Sequence, residues 1–202
     1  MSFKLGTVDG KAVLIKDDHY FDVASLSDGV ISSDSVEALK FQTELSELYE
    51  TLSENNATGN LSEVELGNPV PKSPNCYAVG LNYRKHAEES GMDIPEVPMI
   101  FTKHTSCFVG PKANVEMRSD YVDWEVELVA VIGKEGKNIP KEIALEHVAG
   151  LCVGQDISDR PAQFATTPAM FNLGKSFDTY GPMGPALVSL DFLEICDSLD
   201  FD

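Results

Sequence analysis

The chain has 202 residues, 43% of them hydrophobic and 24% charged, an ordinary balance for a globular protein. Its 33 Asp and Glu residues outnumber 15 Lys and Arg residues, which gives a formal net charge of -18. Such an acidic surface repels phosphate backbones and anionic membranes, so we expect no binding to nucleic acid or membranes. Because the N-terminus lacks an apolar signal core and no apolar run could span a bilayer, a cytoplasmic location is expected.

The start of the chain has the pattern of short strands joined by tight turns. Strands are predicted over residues 3–8, 12–16 and 20–23, because these stretches are rich in β-forming residues. The pairs at 9–10 and 17–18 between them have the composition of β-hairpin turns. An antiparallel N-terminal meander follows from this pattern.

A helix and a linker are predicted next. Ser33 or Asp34 can cap a helix whose apolar residues recur at near-helical spacing as far as Leu52. The segment at 67–74 contains three prolines and is typical of an extended linker. We therefore predict a small N-terminal α+β domain with its linker over residues 1–70 and a main domain over residues 71–202.

The stretch DWEVELVAVIG at residues 123–133 places two carboxylates in apolar surroundings. From Trp124 to Ile132 only Glu125 and Glu127 are not apolar, which predicts a strand buried on both faces. Strand alternation puts both glutamates on one face, where they must take up a proton, pair with a cation or bind a metal. Carboxylate oxygens suit Mg²⁺, Mn²⁺ or Ca²⁺. An edge strand with two solvated, outward-facing glutamates is the alternative.

Three further acid and base residues are candidates for the same site. Asp156 ends a predicted buried strand at 151–156, where it can cap the next turn or act as a third oxygen ligand. His86 and Glu89 are three residues apart on a predicted helix, so the carboxylate can orient the imidazole as in a general base. A surface histidine among charged residues is the alternative.

Two lysines stand out later in the chain. The Gly-Lys-Ser tripeptide at 174–176 ends like a phosphate-binding loop, but that loop needs glycine at position 169, where the chain has alanine. Nucleotide binding is therefore rejected, and Lys175 becomes a lone cation suited to an anionic substrate. Lys103 and His104 lie at the end of a strand predicted over residues 99–103, and the sequence favours strand-end polar residues over site residues.

Four stretches of the chain form a recognisable set. They are Gly80-Leu81-Asn82-Tyr83 with His86 and Glu89, residues 123–133, Asp156-Ile157-Ser158-Asp159-Arg160 with Gln163, and Gly174-Lys175 with Phe177-Asp178, Gly181-Pro182 and Gly184-Pro185. Together they resemble the fumarylacetoacetate hydrolase family, most closely its bacterial hydrolases and lyases of 2-oxo acids. Their order and spacing over residues 75–185 make the resemblance specific.

The resemblance implies a mixed, mostly β fold, namely a β roll or sandwich with few short helices after the small α+β domain. It also implies a bound Mg²⁺ or Mn²⁺ ion, with Ca²⁺ as a further possibility, that contacts a small anionic 2-oxo acid. A homodimer is expected. The implied site residues are the metal ligands Glu125, Glu127 and Asp156, the catalytic residues His86, Glu89 and Lys175, and the substrate-binding residues Arg160 and Gln163.

The reaction implied is hydrolysis of a C–C bond in a 2,4-dioxo acid of the acylpyruvate, fumarylpyruvate or diketo sugar acid type. Glu89 would orient His86 to draw a proton from water, and the hydroxide would attack the 4-oxo carbon. Cleavage then leaves a pyruvate enolate, whose charge a cation stabilises. A decarboxylase, an isomerase or tautomerase, and a hydratase or dehydratase are alternatives at the same site, and a catalytically inactive remnant is another.

The sequence departs from the family pattern at three places. Gln155 stands where many members have asparagine, and Pro161 stands where aspartate commonly follows the arginine. The family domain also continues beyond the residues that match Pro185. We therefore expect a C-terminally incomplete domain with uncovered sheet edges and apolar faces.

Overall fold

The structure is a computed structural model that describes residues 2–89, 91 and 93–192, with only the backbone of His86. Within these ranges the chain is mostly β, with a few short helices, which confirms the predicted fold class. The strands are β1 (Lys4–Val8), β2 (Lys11–Lys16), β3 (His19–Asp22), β4 (Gly59–Asn60), β5 (Tyr77–Gly80), β6 (Met99–Thr102), β7 (Phe108–Val109), β8 (Val122–Asp123), β9 (Val126–Ile132), β10 (Val148–Gln155), β11 (Ser158–Asp159) and β12 (Gly181–Val188).

The helices are short, and none in the described ranges is long and apolar enough to cross a membrane. The α-helices are α1 (Val23–Leu26), α2 (Ser35–Ala38), α3 (Gln42–Thr51), α4 (Arg84–Glu89), α5 (Arg160–Gln163) and α6 (Phe171–Gly174). The 3₁₀ segments are Leu39–Phe41, Glu54–Asn56, Leu61–Glu63, Thr105–Cys107, Lys141–His147 and Leu190–Phe192.

One large sheet organises the molecule. Its strand order is β4-β3-β2-β1-β12-β10-β9, and neighbouring strands on this path are antiparallel. The short strand β7 pairs with β12 in parallel. Two further two-stranded sheets, β5 with β6 and β8 with β11, lie outside this path. As β9 is the last strand of the path, one of its edges is an edge of the sheet.

The N-terminal meander forms as the turn residues predict. Asp9 and Gly10 both have positive φ, 50° and 74°, as a tight hairpin between β1 and β2 requires. Asp34 caps α2 by accepting hydrogen bonds from the backbone N–H groups of Val36 and Glu37. The predicted single helix is instead two α-helices, α2 and α3, separated by the 3₁₀ turn at Leu39–Phe41.

The N-terminal strands and the rest of the chain share a sheet and a core. Strand β1 pairs with β12, with Lys4 opposite Val188 and Leu5 opposite Leu187. The main hydrophobic cluster contains Phe3 and Leu14 from the first part of the chain and Met183 from the second. Packing therefore couples the two predicted domains, and the division at residue 70 stays a prediction.

Strand β9 differs from its prediction. Its burial alternates along the strand, and the apolar side chains on one face are exposed: Trp124 just before it by 70%, Val126 by 59%, Leu128 by 46% and Ile132 by 64%. The prediction of a strand buried on both faces is therefore wrong. Of the alternative, the edge position is correct, since β9 is the last strand of the sheet path, but the solvated glutamates are wrong, because apolar residues take the open face while Glu125 and Glu127 are half-buried.

The shared core predicts that Leu187→Ala will destabilise the protein by about 2 to 5 kcal/mol, because a fully buried leucine leaves a cavity when it is truncated. Equilibrium urea denaturation followed by circular dichroism measures this loss. Val30→Ala, at an exposed position, is the control and should change the free energy of unfolding by less than about 0.5 kcal/mol. Equal effects of the two substitutions would contradict the shared core.

Candidate active site

Strand pairing brings the candidate acids together. Strands β9 and β10 are antiparallel, with Glu127 opposite Gly154 and Val126 opposite Gln155. The start of β9 therefore lies beside the end of β10, and the backbone N–H of Asp156 donates to the carbonyl of Glu125 at 2.8 Å. Glu125 and Asp156, which are 31 positions apart in sequence, therefore become neighbours at one end of the sheet.

Lys175 joins these two acids. Its Nζ atom lies 2.8 Å from Glu125 Oε2 and 2.8 Å from Asp156 Oδ2, and the side chain is buried. The preceding Gly174 lets α6 approach α5, because a Cβ atom there would lie only 2.6 Å from backbone atoms of Gln163. Lys175 is thus a buried cation, but it is not the lone cation that the sequence predicts, because it is paired with two carboxylates.

Arg160, the first residue of α5, engages the other oxygen of Glu125. Its Nη2 atom donates to Glu125 Oε1 and to Asp123 Oδ2, both at 2.7 Å. Its Nη1 atom donates to Gln163 Oε1 at 2.9 Å, which brings the two predicted substrate-binding residues into contact. Each oxygen of Glu125 is therefore held by a different cation, Arg160 on one side and Lys175 on the other.

Asp123 belongs to the same cluster, although sequence reasoning did not single it out. Its neighbour in the β8–β11 pair is Ser158, which brings Asp123 close to Arg160. The hydrogen bond from Arg160 lowers the pKa of Asp123 below its ordinary value of 3.8. The signal available in the sequence was its spacing, since Asp123 lies two residues before Glu125 in an extended stretch.

Lys103, which follows β6, also lies in the cluster. Its Nζ atom donates to Asp156 Oδ1 at 2.7 Å, to the carbonyl of Tyr180 at 3.1 Å and to the carbonyl of Lys175. The interpretation of Lys103 as a strand-end polar residue is therefore wrong.

Burial raises the pKa of the nearby Cys107 to about 11, so this thiol is neutral and is no candidate nucleophile.

The donor chemistry at the centre of the cluster suits a hard cation, because the carboxylates of Glu125, just before β9, and Asp156, just after β10, converge on one point, where the Lys175 ammonium lies. Glu127 follows in β9 on the same face as Glu125 and is half-buried. Among the residues that the structure describes, however, no group of three or more His, Cys, Asp or Glu side chains could hold a metal ion as placed. The three-acid ligand set therefore stays a prediction.

The predicted dyad is described only in part. Helix α4 contains both His86 and Glu89, as the sequence predicts, and Glu89 is exposed near its end. The side chain of His86 lies outside the described residues. The structure thus brings together five of the eight predicted site residues, namely Glu125, Asp156, Arg160, Gln163 and Lys175, while the His86–Glu89 dyad stays a prediction.

Comparison with known proteins identifies the family. The family model described as Fumarylacetoacetate (FAA) hydrolase C-terminal matches residues 75–201, more than half of the chain, and this range includes all eight predicted site residues. The chain therefore belongs to the fumarylacetoacetate hydrolase family, which confirms the resemblance seen in the sequence.

The relatives include proteins with different activities. The mitochondrial oxaloacetate tautomerase FAHD2A of Bos taurus is 45% identical over 132 residues, which are 64% of this chain and 42% of that protein. The chain thus spans about two fifths of the length of this curated relative. The relative is mitochondrial, so a cytoplasmic location for this chain stays a prediction.

Two solved structures have the same fold. A putative HpcE protein from Mycobacterium smegmatis is 40% identical with a TM-score of 0.83, over 93% of this chain and 67% of that one. The maleylpyruvate hydrolase of Sphingobium sp. SYK-6, in complex with manganese(II) and pyruvate, is 22% identical with a TM-score of 0.74, over 93% and 67% of the respective chains. At that identity the second likeness shows the fold alone.

The contact between Arg160 and Asp123 predicts a pH effect. In Arg160→Gln the pKa of Asp123 should rise towards 3.8, because the hydrogen bond that lowers it is lost. The stabilisation from this contact is complete above the ordinary pKa and is lost as the pH falls through the lower folded-state value. It should be small, because Asp123 is half exposed and solvent screens the charges.

Side-chain carboxyl NMR during a pH titration measures the pKa of Asp123 in both proteins. Lys137→Gln, at an exposed position, is the control and should leave this pKa unchanged. An unaltered pKa of Asp123 in Arg160→Gln would show that the contact is not formed in solution.

Proposed function

We propose that this chain carries a divalent-metal-dependent active site that interconverts the keto and enol forms of a 2-oxo acid of the oxaloacetate type. One observation carries the proposal: Glu125 and Asp156 converge on Lys175 while Arg160 holds the other side of Glu125. This partly buried group of carboxylates and cationic side chains suits both a hard metal ion and an anionic substrate. A relative with 45% identity that is named an oxaloacetate tautomerase supports the choice of substrate class.

A Mg²⁺ or Mn²⁺ ion held by Glu125, Glu127 and Asp156 would polarise the 2-oxo group and stabilise the enolate charge. The cations of the chain contribute binding and orientation. Arg160 presents a planar guanidinium whose contacts with Asp123, Glu125 and Gln163 use four of its five N–H donors, so one N–H on Nη1 remains for a substrate carboxylate. Lys175 adds a positive charge close to the same acids, where water is largely excluded.

The proton transfer is assigned to the His86–Glu89 dyad. Glu89 would orient the imidazole of His86, which would take a proton from C3 of the substrate and return one at the 2-oxo oxygen. The C3–H bond breaks, an O–H bond forms and the double bond moves from C2=O to C2=C3, so neither a nucleophile nor a leaving group is needed. The charged cluster supplies what this step requires, namely stabilisation of the enolate oxygen.

A second candidate is hydrolysis of a C–C bond in a 2,4-dioxo acid. The observation in its favour is that a protein of the same fold, a maleylpyruvate hydrolase, forms a complex with manganese and pyruvate. The same residues would stabilise the departing pyruvate enolate, and the dyad would activate water instead of carrying a substrate proton. Decarboxylation, hydration and other isomerisations of 2-oxo acids share that enolate.

The proposal predicts that the chain will accelerate loss of the enol absorbance of oxaloacetate when Mg²⁺ or Mn²⁺ is present. Glu125→Gln should lower kcat/KM at least about a hundredfold, because it removes a ligand charge and the partner of two cations. Glu135→Gln, on the exposed surface, is the matched control and should leave the rate unchanged.

The same assay with acylpyruvates separates the candidates. Release of pyruvate without acceleration of enol loss would favour the hydrolase. Absence of both reactions, together with no Mg²⁺ or Mn²⁺ binding by calorimetry, would leave the inactive remnant as the correct description.

We also propose that the chain forms a homodimer, as family resemblance implies. The exposed apolar face of β9 supports this, because a contiguous apolar patch at a sheet edge is an association site. Leu128→Asp should shift the protein towards the monomer in analytical ultracentrifugation, while Val30→Asp should not. A wild-type protein that sediments as a monomer at micromolar concentration would contradict the proposal.

A further inference from the structure

The ammonium of Lys103 connects four elements around the site. The residue follows β6, and its ammonium reaches Asp156 at the end of β10, the backbone of Lys175 after α6, and Tyr180 just before β12. The side chain is only 6% exposed. A buried ammonium at the junction of four elements holds them at fixed separations, because displacing any acceptor leaves a charge unpaired.

The three contacts of Lys103 also limit what it can do. An ammonium has three N–H donors and no acceptor, and Lys103 directs one donor to each of three oxygens. No donor is left to contact a substrate. This distinguishes Lys103 from Lys175, whose ammonium lies between the two acids that are candidate metal ligands.

Lys103 acts on both of its charged neighbours, but in different ways. It holds Asp156 through Oδ1, while Lys175 holds the same carboxylate through Oδ2, so the carboxylate is fixed from two sides. It holds Lys175 through the backbone carbonyl, which sets the point from which that side chain extends. The separation between Asp156 and the Lys175 ammonium therefore depends on Lys103.

We propose that Lys103 is a positioning residue that fixes Asp156 and Lys175 relative to each other and does not itself contact the substrate. The inference rests on the proposed function for the roles of Asp156 and Lys175. The contacts of Lys103 need neither metal nor substrate, so they can be tested independently of the activity.

The test is a double-mutant cycle on folding with Lys103→Met and Asp156→Asn, measured by urea denaturation of the metal-free protein. Lys103→Met should lower the folding equilibrium constant about tenfold or more in the Asp156 background, because a buried carboxylate loses one of its two cations. In the Asp156→Asn background the same change should cost at least threefold less. Lys137→Met, on the exposed surface, is the control and should show no coupling to Asp156→Asn.

Calorimetry with Mn²⁺ alone gives the second readout. Lys103→Met should weaken Mn²⁺ binding about tenfold to a hundredfold, as loss of a residue that orients a ligand does, while Lys137→Met should not. If the wild-type protein binds no metal and turns over no 2-oxo acid, the proposed function fails, but coupling in the folding cycle would still support the positioning role.

Equal losses from Lys103→Met in both backgrounds would overturn the proposal, since a packing role alone does not depend on the charge of Asp156. If Lys103→Met does not fold, acetylation of the wild-type protein followed by mass spectrometry replaces it. Lys103 should then react at least tenfold more slowly than Lys137, and its protection should fall in Asp156→Asn. Protection that is absent in the wild type, or unchanged in Asp156→Asn, would equally overturn the proposal.

Discussion

The site depends on the pairing of a buried carboxylate with two ammonium groups. Asp156 is almost fully buried, and each of its oxygens accepts a hydrogen bond from a different lysine, Lys103 or Lys175. A carboxylate without such partners would be costly to bury, because neither water nor a cation would compensate its charge. The cations hold this acid in a place where it can serve as a ligand.

The remaining charged side chains form a chain of ion pairs that begins at Asp156. Lys175 connects Asp156 to Glu125, and Arg160 connects Glu125 to Asp123. Carboxylates and cationic side chains thus alternate along the cluster, so each of these carboxylates has a neighbouring cation. Such a network keeps its members in fixed positions, and the proposed reaction would gain from this, because groups that stabilise a developing enolate would then not need to reorganise.

The sheet explains why residues far apart in sequence form this cluster. The antiparallel register of β9 and β10 places the start of one strand beside the end of the other, where Glu125 and Asp156 meet. Strand β12 pairs with both β10 and β1, so the site and the N-terminal meander rest on one framework. The framework also leaves the apolar face of β9 open, on the same strand that Glu125 precedes.

Much of this could be predicted from local patterns. The hairpin turn at Asp9-Gly10 and the cap at Asp34 need only a few neighbouring residues, and the structure has both. Alternation along the strand placed Glu125 and Glu127 on one face. The order and spacing of motifs then indicated the family, which the match over residues 75–201 confirms.

Other features could not be predicted, because they depend on long-range contacts. The burial of Lys103 follows from carbonyl groups of Lys175 and Tyr180, more than 70 positions away, and nothing around Lys103 indicates them. The exposed face of β9 follows from the lack of cover by the described residues, which also leave Val153 of the interior strand β10 exposed, whereas the composition of β9 is that of a buried strand. An apolar run alone does not distinguish a core strand from one that contacts another surface.

The central claim is that Asp156 and Glu125 are held together by Lys175, with Lys103 on the far oxygen of Asp156. A high-resolution crystal structure of the protein measures this directly. The account predicts the Lys175 ammonium within about 3 Å of both carboxylates and the Lys103 ammonium within about 3 Å of Asp156. Carboxylates that point apart into solvent, with both lysines turned away, would contradict it.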